Sequence, residues 1–423
     1  MKAKVLILII VIISLIGAMA MPAAAQDDVV VEIYFPVAVD SDITSILEGY
    51  AEAYEAENDG VDIIFSYEGG YGDVKTKLLT TIEGGGELPA LAIMLATDIY
   101  DLRNAEAIQS WPVDEAYLED FSDTWLTNSY YDYDGDGEGE LYGLPFQRST
   151  VLMYYNMDLL AEAGLEAPTN WEELATTAQA LTTEDRWGIL IPNSWPYWLF
   201  QPFAAGAGQN IVSESDVEVY FSNEEVVEAL QFWVDLYDVY GATPEGVQNN
   251  WGDAPGAFLD GTAAFIIHSS GSLGNILRNA EFEVGVSGIP GQDGDAYTVT
   301  GGGNIYLVSG IDDATTAAAT DFVQWLTEAE RAVDWSIQSG YYNTRESGFE
   351  TDAWTAYVEE NPAIADAAAT VDNAVREFSV QSLGDVRNIL HENILAVLNG
   401  EADAGAALQQ AQTDADGLLS IFQ

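Results

Sequence analysis

The chain has 423 residues, no Cys, and 70 Asp and Glu against 12 Lys and Arg, a formal charge of −58. That balance excludes nucleic acid and anionic lipid as partners, because both need clustered Lys and Arg. The missing thiols exclude disulfides, thiolate metal centres and a Cys nucleophile, while 48% hydrophobic residues with 11 Trp, 22 Tyr and 15 Phe suffice for real cores.

Lys2 and Lys4 precede the run VLILIIVIISLIGAMA, and small residues follow at Ala23 and Ala25. A basic start, a short apolar stretch and a small-residue end predict a secretory signal over residues 1–25, cut after Ala25. The apolar run at 5–20 is short of the roughly 20 residues a membrane span needs. The mature chain then carries ten basic and seventy acidic residues, a formal −60. The expected location is secreted, periplasmic or otherwise extracytoplasmic, associated with the cell surface. With no lipid-bearing Cys, that association needs an outer barrier or another tether. Such a field repels itself and is better tolerated where salt screens it. The melting temperature should therefore rise from low to molar salt; a fall would contradict this reading.

Residues 29–35 read as a strand, followed by Ile43, Ile46, Leu47, Tyr50 and Tyr54 at helical spacing. A second strand at 61–66, a helix at 74–82 ended by Gly84-Gly85-Gly86, and a buried strand at 90–95 complete βαβ units, which imply a mostly parallel sheet. Beyond Asp98 the chain turns irregular and acidic. Helices are predicted at 171–181, after a Ser222–Glu225 capping box, at 322–337 as one piece, at 388–398 and at 406–422; strands at 262–267 and 304–308. The layout fits a two-lobed α/β protein.

Several strings carry a resemblance: DIIFSYEGGY at 62–71, ELYGLPFQRSTVLMYYN at 140–156 followed by MDLLAEAGLEAPTNWEEL, GTAAFIIHSSGSLGN at 261–275, FVQWLTEAE at 322–330 and SGYYNTR at 339–345. In this order they resemble the periplasmic solute-binding proteins of ABC importers, in the extracellular family 1 group. Within that group the likeness is greatest to the glycerol-3-phosphate and glycerophosphodiester binders. The resemblance runs from about residue 31 to 422. It implies a periplasmic-binding-protein (type II) fold: two α/β lobes with a ligand cleft between them. Lobe 1 is expected at 26–147 and 301–340, and lobe 2 at 148–300 and 341–423. Hinges are expected near 145–150, 297–301 and 340–342. The implied protein is a monomer without catalysis or cofactor. It binds a polyol phosphate or glycerophosphodiester and delivers it to permease subunits and their ATPase.

The resemblance also implies a pocket. Tyr71, Ser149, Trp195, Trp198, Ser269, Gly302, Tyr341 and Arg387 fall on ligand-binding positions. Arg387 is the one paired with phosphate. A glutamate of that pocket falls here on Ala96, which puts recognition of the glycerol end in doubt; Thr97 or Asp98 is the substitute, and Arg148 is either a rim residue or half of a surface pair. These residue types suit the task on their own. A small polar ligand leaving water must have its hydrogen bonds replaced by hydroxyls and backbone N–H groups. An Arg fork fits two anionic oxygens, and Trp faces carry sugar rings or cations. His268 is expected to be a satisfied core residue, and His391 to lie on a helix face.

Asp132, Asp134 and Asp136 at alternate positions, with Gly137 sixth, match the first half of a calcium loop, but Gly143 stands where a bidentate Glu belongs. A structural calcium and a plain acidic turn remain open. Two other functions also remain open. One is the same fold binding a neutral sugar or oligosaccharide. The other is a secreted glycosidase, which needs two carboxylates roughly 5–10 Å apart.

Overall fold

A computed structural model describes residues 28–39, 41–133, 138–246 and 251–423. The secretory signal and residues 134–137 of the proposed calcium loop lie outside these residues. The strands that organise the fold are β1 (Val29–Phe35), β2 (Val61–Tyr67), β3 (Leu91–Leu95), β4 (Gly143–Asn156), β5 (Trp187–Leu190), β6 (Ala263–Ser269), β7 (Ala296–Val308) and the short β8 (Ala374–Val375). The helices that matter for the site are α1 (Ile43–Glu55), α2 (Tyr71–Gly84), α3 (Pro196–Gly206) and α4 (Leu383–Leu398). None of the helices among the described residues is long and apolar enough to cross a membrane.

The principal path through the sheet is β2-β1-β3-β7-β4-β6-β5. β1 pairs in parallel with β2 and β3, as βαβ units require. β4 and β7 are the exceptions: two long antiparallel strands that run through both halves of the molecule. The N-terminal half of β4 meets the part of β7 that pairs with β3, while its C-terminal half pairs with β6. Their register shifts between Gly303 and Asn304. An irregular step of this kind bends a strand.

The apolar residues gather accordingly. One cluster joins β1 and α1 to Leu144, Phe146, Ile305, Phe322 and Trp335. A larger one joins Val151, Met153, Leu174, Phe200, Trp233, Phe265, Leu390 and Leu408. The fold is thus a two-lobed mixed α/β architecture, with β4 and β7 passing between the lobes.

Two local expectations need correction. The region 322–337 is two helices, Asp313–Leu326 and Ala329–Ser339. The break has a side-chain cause: Arg345 Nε donates to the Thr327 carbonyl at 2.7 Å, and Tyr117 holds the Thr327 hydroxyl. The backbone at Glu328 is then extended and caps the second helix. The Ser222–Glu225 capping box does not form. The helix Glu224–Asp238 starts after Asn223, and the Ser222 amide donates to Gln412 Oε1 at 3.3 Å.

Candidate functional site

A cavity of about 610 Å³ opens where β4, β7, α2, α3 and α4 converge. Each side has a local reason to be there. Gly69 has φ +100°, a conformation that favours glycine, and Gly70 caps α2 with its amide donating to Asp73 Oδ2. Tyr71 is thereby delivered as the first helical residue. Its hydroxyl donates to Gln147 Oε1 at 2.9 Å. Pro196 starts α3, a favoured first-turn position, which sets Trp195 and Trp198 on the cavity wall. Trp198 Nε1 donates to the Thr300 carbonyl at 2.9 Å and its ring lies flat against Gly301, where any Cβ would be 2.4 Å from the indole.

All eight residues that the resemblance placed in a pocket line this one cavity: Tyr71, Ser149, Trp195, Trp198, Ser269, Gly302, Tyr341 and Arg387. They come from segments up to 316 positions apart in the sequence. Ser149 lies on β4 opposite Gly301 of β7. Ser269 ends β6, and its Oγ accepts from the Gly271 amide at 3.1 Å, so its own proton is free to be donated. The Tyr341 ring stacks on Trp335 with centroids 5.7 Å apart, and its buried hydroxyl has no hydrogen-bond partner among the described residues. Gly302 has φ +87°.

Arg387 is the unusual member. In so acidic a chain, it makes no salt bridge within 4.0 Å among the described residues. The guanidinium lies 5.5 Å from the Tyr197 ring centroid, and its Nη1 is buried without a partner among the described residues. Burial pushes the pKa down, but Tyr197, Asp98 and Asp101 outweigh that and raise it. The group is a fixed cation with a donor to spare.

Most of the other candidate residues lie elsewhere. Arg148 is neither rim nor surface: it is fully buried, with Nη2 3.5 Å from Glu377 Oε2 and Nη1 3.5 Å from Asn304 Oδ1. Asp98 is buried in an ion pair with Lys75 at 2.9 Å, away from the cavity wall. Ala96 offers only a carbonyl, which accepts from Tyr306. Thr97 does line the cavity. Asp132 has interactions of its own, Asp134 and Asp136 lie outside the described residues, and no group of potential metal ligands occurs among those described. His268 bonds the Trp251 carbonyl and Ser272, and burial drives its pKa down to about 4, so it is a neutral core residue. His391 is half-buried on α4.

Sequence reasoning missed Trp251, Tyr197, Phe378 and Glu377. Trp251 follows residues outside the described set; it stacks on His268 at 3.8 Å and donates from Nε1 to the Ala38 carbonyl. Tyr197 and Phe378 had no distinguishing spacing. Glu377, one of seventy acids, had only its neighbour Phe378 to suggest burial.

Glu377 has a titration consequence. Its carboxyl is raised to about 7, chiefly by burial, against the pull of Arg148, Asn128 and Thr300. The phenols of Tyr71, Tyr197 and Tyr306 also feel it. The unfolded group titrates at about 4.5, so between these values the native state holds more protons. This contribution to stability is fully present below about 4.5 and lost as pH rises through about 7. Glu377→Gln cannot titrate. Relative to wild type, its stability should therefore improve from pH 5 to pH 8, on the order of 3 kcal/mol. Denaturant unfolding of both proteins across that range checks this, and parallel curves would contradict it.

Comparison with known proteins places the chain in context. The family model of bacterial extracellular solute-binding proteins matches residues 49–363. The sn-glycerol-3-phosphate-binding periplasmic protein UgpB of Yersinia pseudotuberculosis is 24% identical over 436 residues, covering 97% of each chain. Among solved structures, UgpB from Mycobacterium tuberculosis in complex with glycerophosphocholine matches with TM-score 0.82 at 18% identity, covering 94% of this chain and 99% of that one. Maltose-bound MalE3 of T. maritima matches with TM-score 0.81 at 20% identity, covering 92% and 100%.

Proposed function

The chain belongs to the bacterial extracellular solute-binding proteins, and from that footing we propose that it binds a polyol phosphate or glycerophosphodiester. In this reading it delivers the solute to an ABC permease and its ATPase in the periplasm or its equivalent. One observation carries the ligand assignment: Arg387 lines the cavity with a buried Nη1 that has no partner among the described residues, in a chain rich in carboxylates, none of those described pairing with it. Ser149 and Ser269 add hydroxyl donors, and Gly302 permits close backbone approach. The likeness to a glycerol-3-phosphate-binding protein points the same way.

Closure follows from the same geometry. Thr300 pairs with Thr150 and Gly301 with Ser149 where the long strands cross, and the Tyr342 amide donates to the Arg148 carbonyl at 2.9 Å beside them. Segments 145–150, 297–301 and 340–342 act as hinges between lobe 1 (26–147 and 301–340) and lobe 2 (148–300 and 341–423). Ligand favours the closed state because only that state surrounds it.

The neutral-sugar reading has its own support. Trp195, Trp198 and Trp251 form an aromatic wall with centroids 5.9 and 6.4 Å from that of Trp251, and a maltose-bound protein shares the fold. Catalysis by a carboxylate pair has less support, since Glu377 is the one acid among the described lining residues. A thermal-shift panel separates these readings. At ligand concentrations a hundred times Kd, stabilisation reaches about 2.7 kcal/mol. sn-Glycerol 3-phosphate and glycerophosphocholine should raise the melting temperature; maltose and maltotriose should not. The reverse pattern would move the assignment to neutral sugars.

A further inference from the structure

Arg387 accounts for one end of a ligand, but a second ionisable group faces the same space. Glu377 is 5% exposed and lines the cavity with Arg387. Its two oxygens are used unequally. Oε2 accepts from Asn128 Nδ2 at 3.2 Å, Thr300 Oγ1 at 3.4 Å and Arg148 Nη2 at 3.5 Å. Oε1 accepts no hydrogen bond among the described residues.

A purely structural partner for Arg148 would be arranged differently. Guanidinium and carboxylate prefer two parallel bonds. Here Arg148 Nε is buried with no partner among the described residues, and only Nη2 reaches the carboxylate. Glu377 thus meets Arg148 through one oxygen, at a long distance, and keeps the other for something else. An ionised carboxylate has about four acceptor sites, and leaving them empty in a buried place is costly. The cavity is where a donor can arrive.

We propose that Glu377 Oε1 is a specificity-determining ligand contact that accepts a hydrogen bond from a hydroxyl of the solute whose anionic group meets Arg387. The inference rests on the anion reading of Arg387 and narrows it. The ligand class is a polyol bearing one phosphate mono- or diester, with a free hydroxyl near the ester. Deoxy analogues lose because the carboxylate oxygen then stays buried and unpaired, a penalty that discriminates more strongly than a missing methylene. A second anionic substituent at that end loses by repulsion.

The test is calorimetric titration of wild type and Glu377→Gln at pH 8 with sn-glycerol 3-phosphate, with propyl phosphate, which lacks both hydroxyls, and with maltose. Wild type should prefer glycerol 3-phosphate over propyl phosphate by about tenfold or more. In Glu377→Gln the preference should shrink to within about threefold, with propyl phosphate bound no more weakly than by wild type. A wild type without the preference, a variant that keeps it, or a variant that weakens both ligands in parallel would overturn the assignment. If wild type binds neither phosphate but does bind maltose, the anion reading fails on its own. Glu377 is then supported by a loss of about tenfold in maltose affinity in the variant, and overturned by equal affinity. A wild type that binds none of the three contradicts both claims. Should the single variant not fold, Arg148→Gln with Glu377→Gln removes both buried charges and takes the same titrations.

Discussion

Arg387→Ala is expected to abolish binding of sn-glycerol 3-phosphate while leaving the fold intact. The guanidinium is the cation that faces the cavity, and its Nη1 has no protein partner to lose. A phosphate that leaves water needs charge-assisted bonds in return, each worth roughly 1.5–3 kcal/mol. Two such bonds correspond to about a 10²–10⁴-fold change in Kd. Stability should hardly respond. The substitution removes a buried cation without stranding a carboxylate, and the lost packing over Tyr197 is a small term. A melting shift under about 2 °C is expected. Arg387→Lys keeps the charge but not the planar fork, so it should fall between the two. Calorimetric titration and a thermal melt of the same samples measure both quantities. Undiminished affinity in Arg387→Ala would remove the anion reading.

Gly302→Ala should do the opposite and cost the fold itself. Gly302 has φ +87°, where an L side chain is strained by about 1–2 kcal/mol. A Cβ there would lie 1.8 Å from the Gln147 carbonyl oxygen and 3.2 Å from Arg148 Cα. Both are backbone atoms of β4, so no side-chain rotation relieves the contact. The two strands that pass between the lobes must separate at their crossing. A loss above about 4 kcal/mol is expected, read as a fall in melting temperature of about 5 °C or more. Gly301→Ala is the informative neighbour. Its Cβ would meet the Trp198 indole at 2.4 Å, so it displaces a cavity wall instead of a backbone. That variant should stay folded and lose ligand. Equal melting of Gly302→Ala and wild type would contradict the strand-crossing account.

Much of the architecture was legible because it rests on periodicity. Residues 29–35 and 171–181 form the expected strand and helix with matching ends, since runs of β-branched residues and 3.6-residue spacing are local signals. The helix break at Thr327 was not legible: it depends on Arg345 and Tyr117, which reach it through tertiary contacts. β7 begins eight residues earlier than expected, because Gly301, Gly302 and Gly303 interrupt its strand propensity and are held in the sheet by β4. The convergence of Tyr71, Ser149, Ser269, Tyr341 and Arg387 could be stated only through the family resemblance, since nothing in local spacing brings these positions together. Glu377 and Trp251 had no motif at all. Their roles come from burial, from the unequal use of two carboxylate oxygens, and from a stack on His268. Arg148 shows the converse: adjacency to Ser149 in sequence suggested the rim, but alternation along β4 turns its side chain into the core.

The most direct test of the central claim is calorimetric titration of the mature wild-type protein with sn-glycerol 3-phosphate at about 0.15 M salt, where the acidic field is screened beyond about 8 Å. A saturable, single-site binding curve that maltose does not reproduce is the predicted result. No heat up to millimolar glycerol 3-phosphate, with saturable binding of maltose, would contradict it.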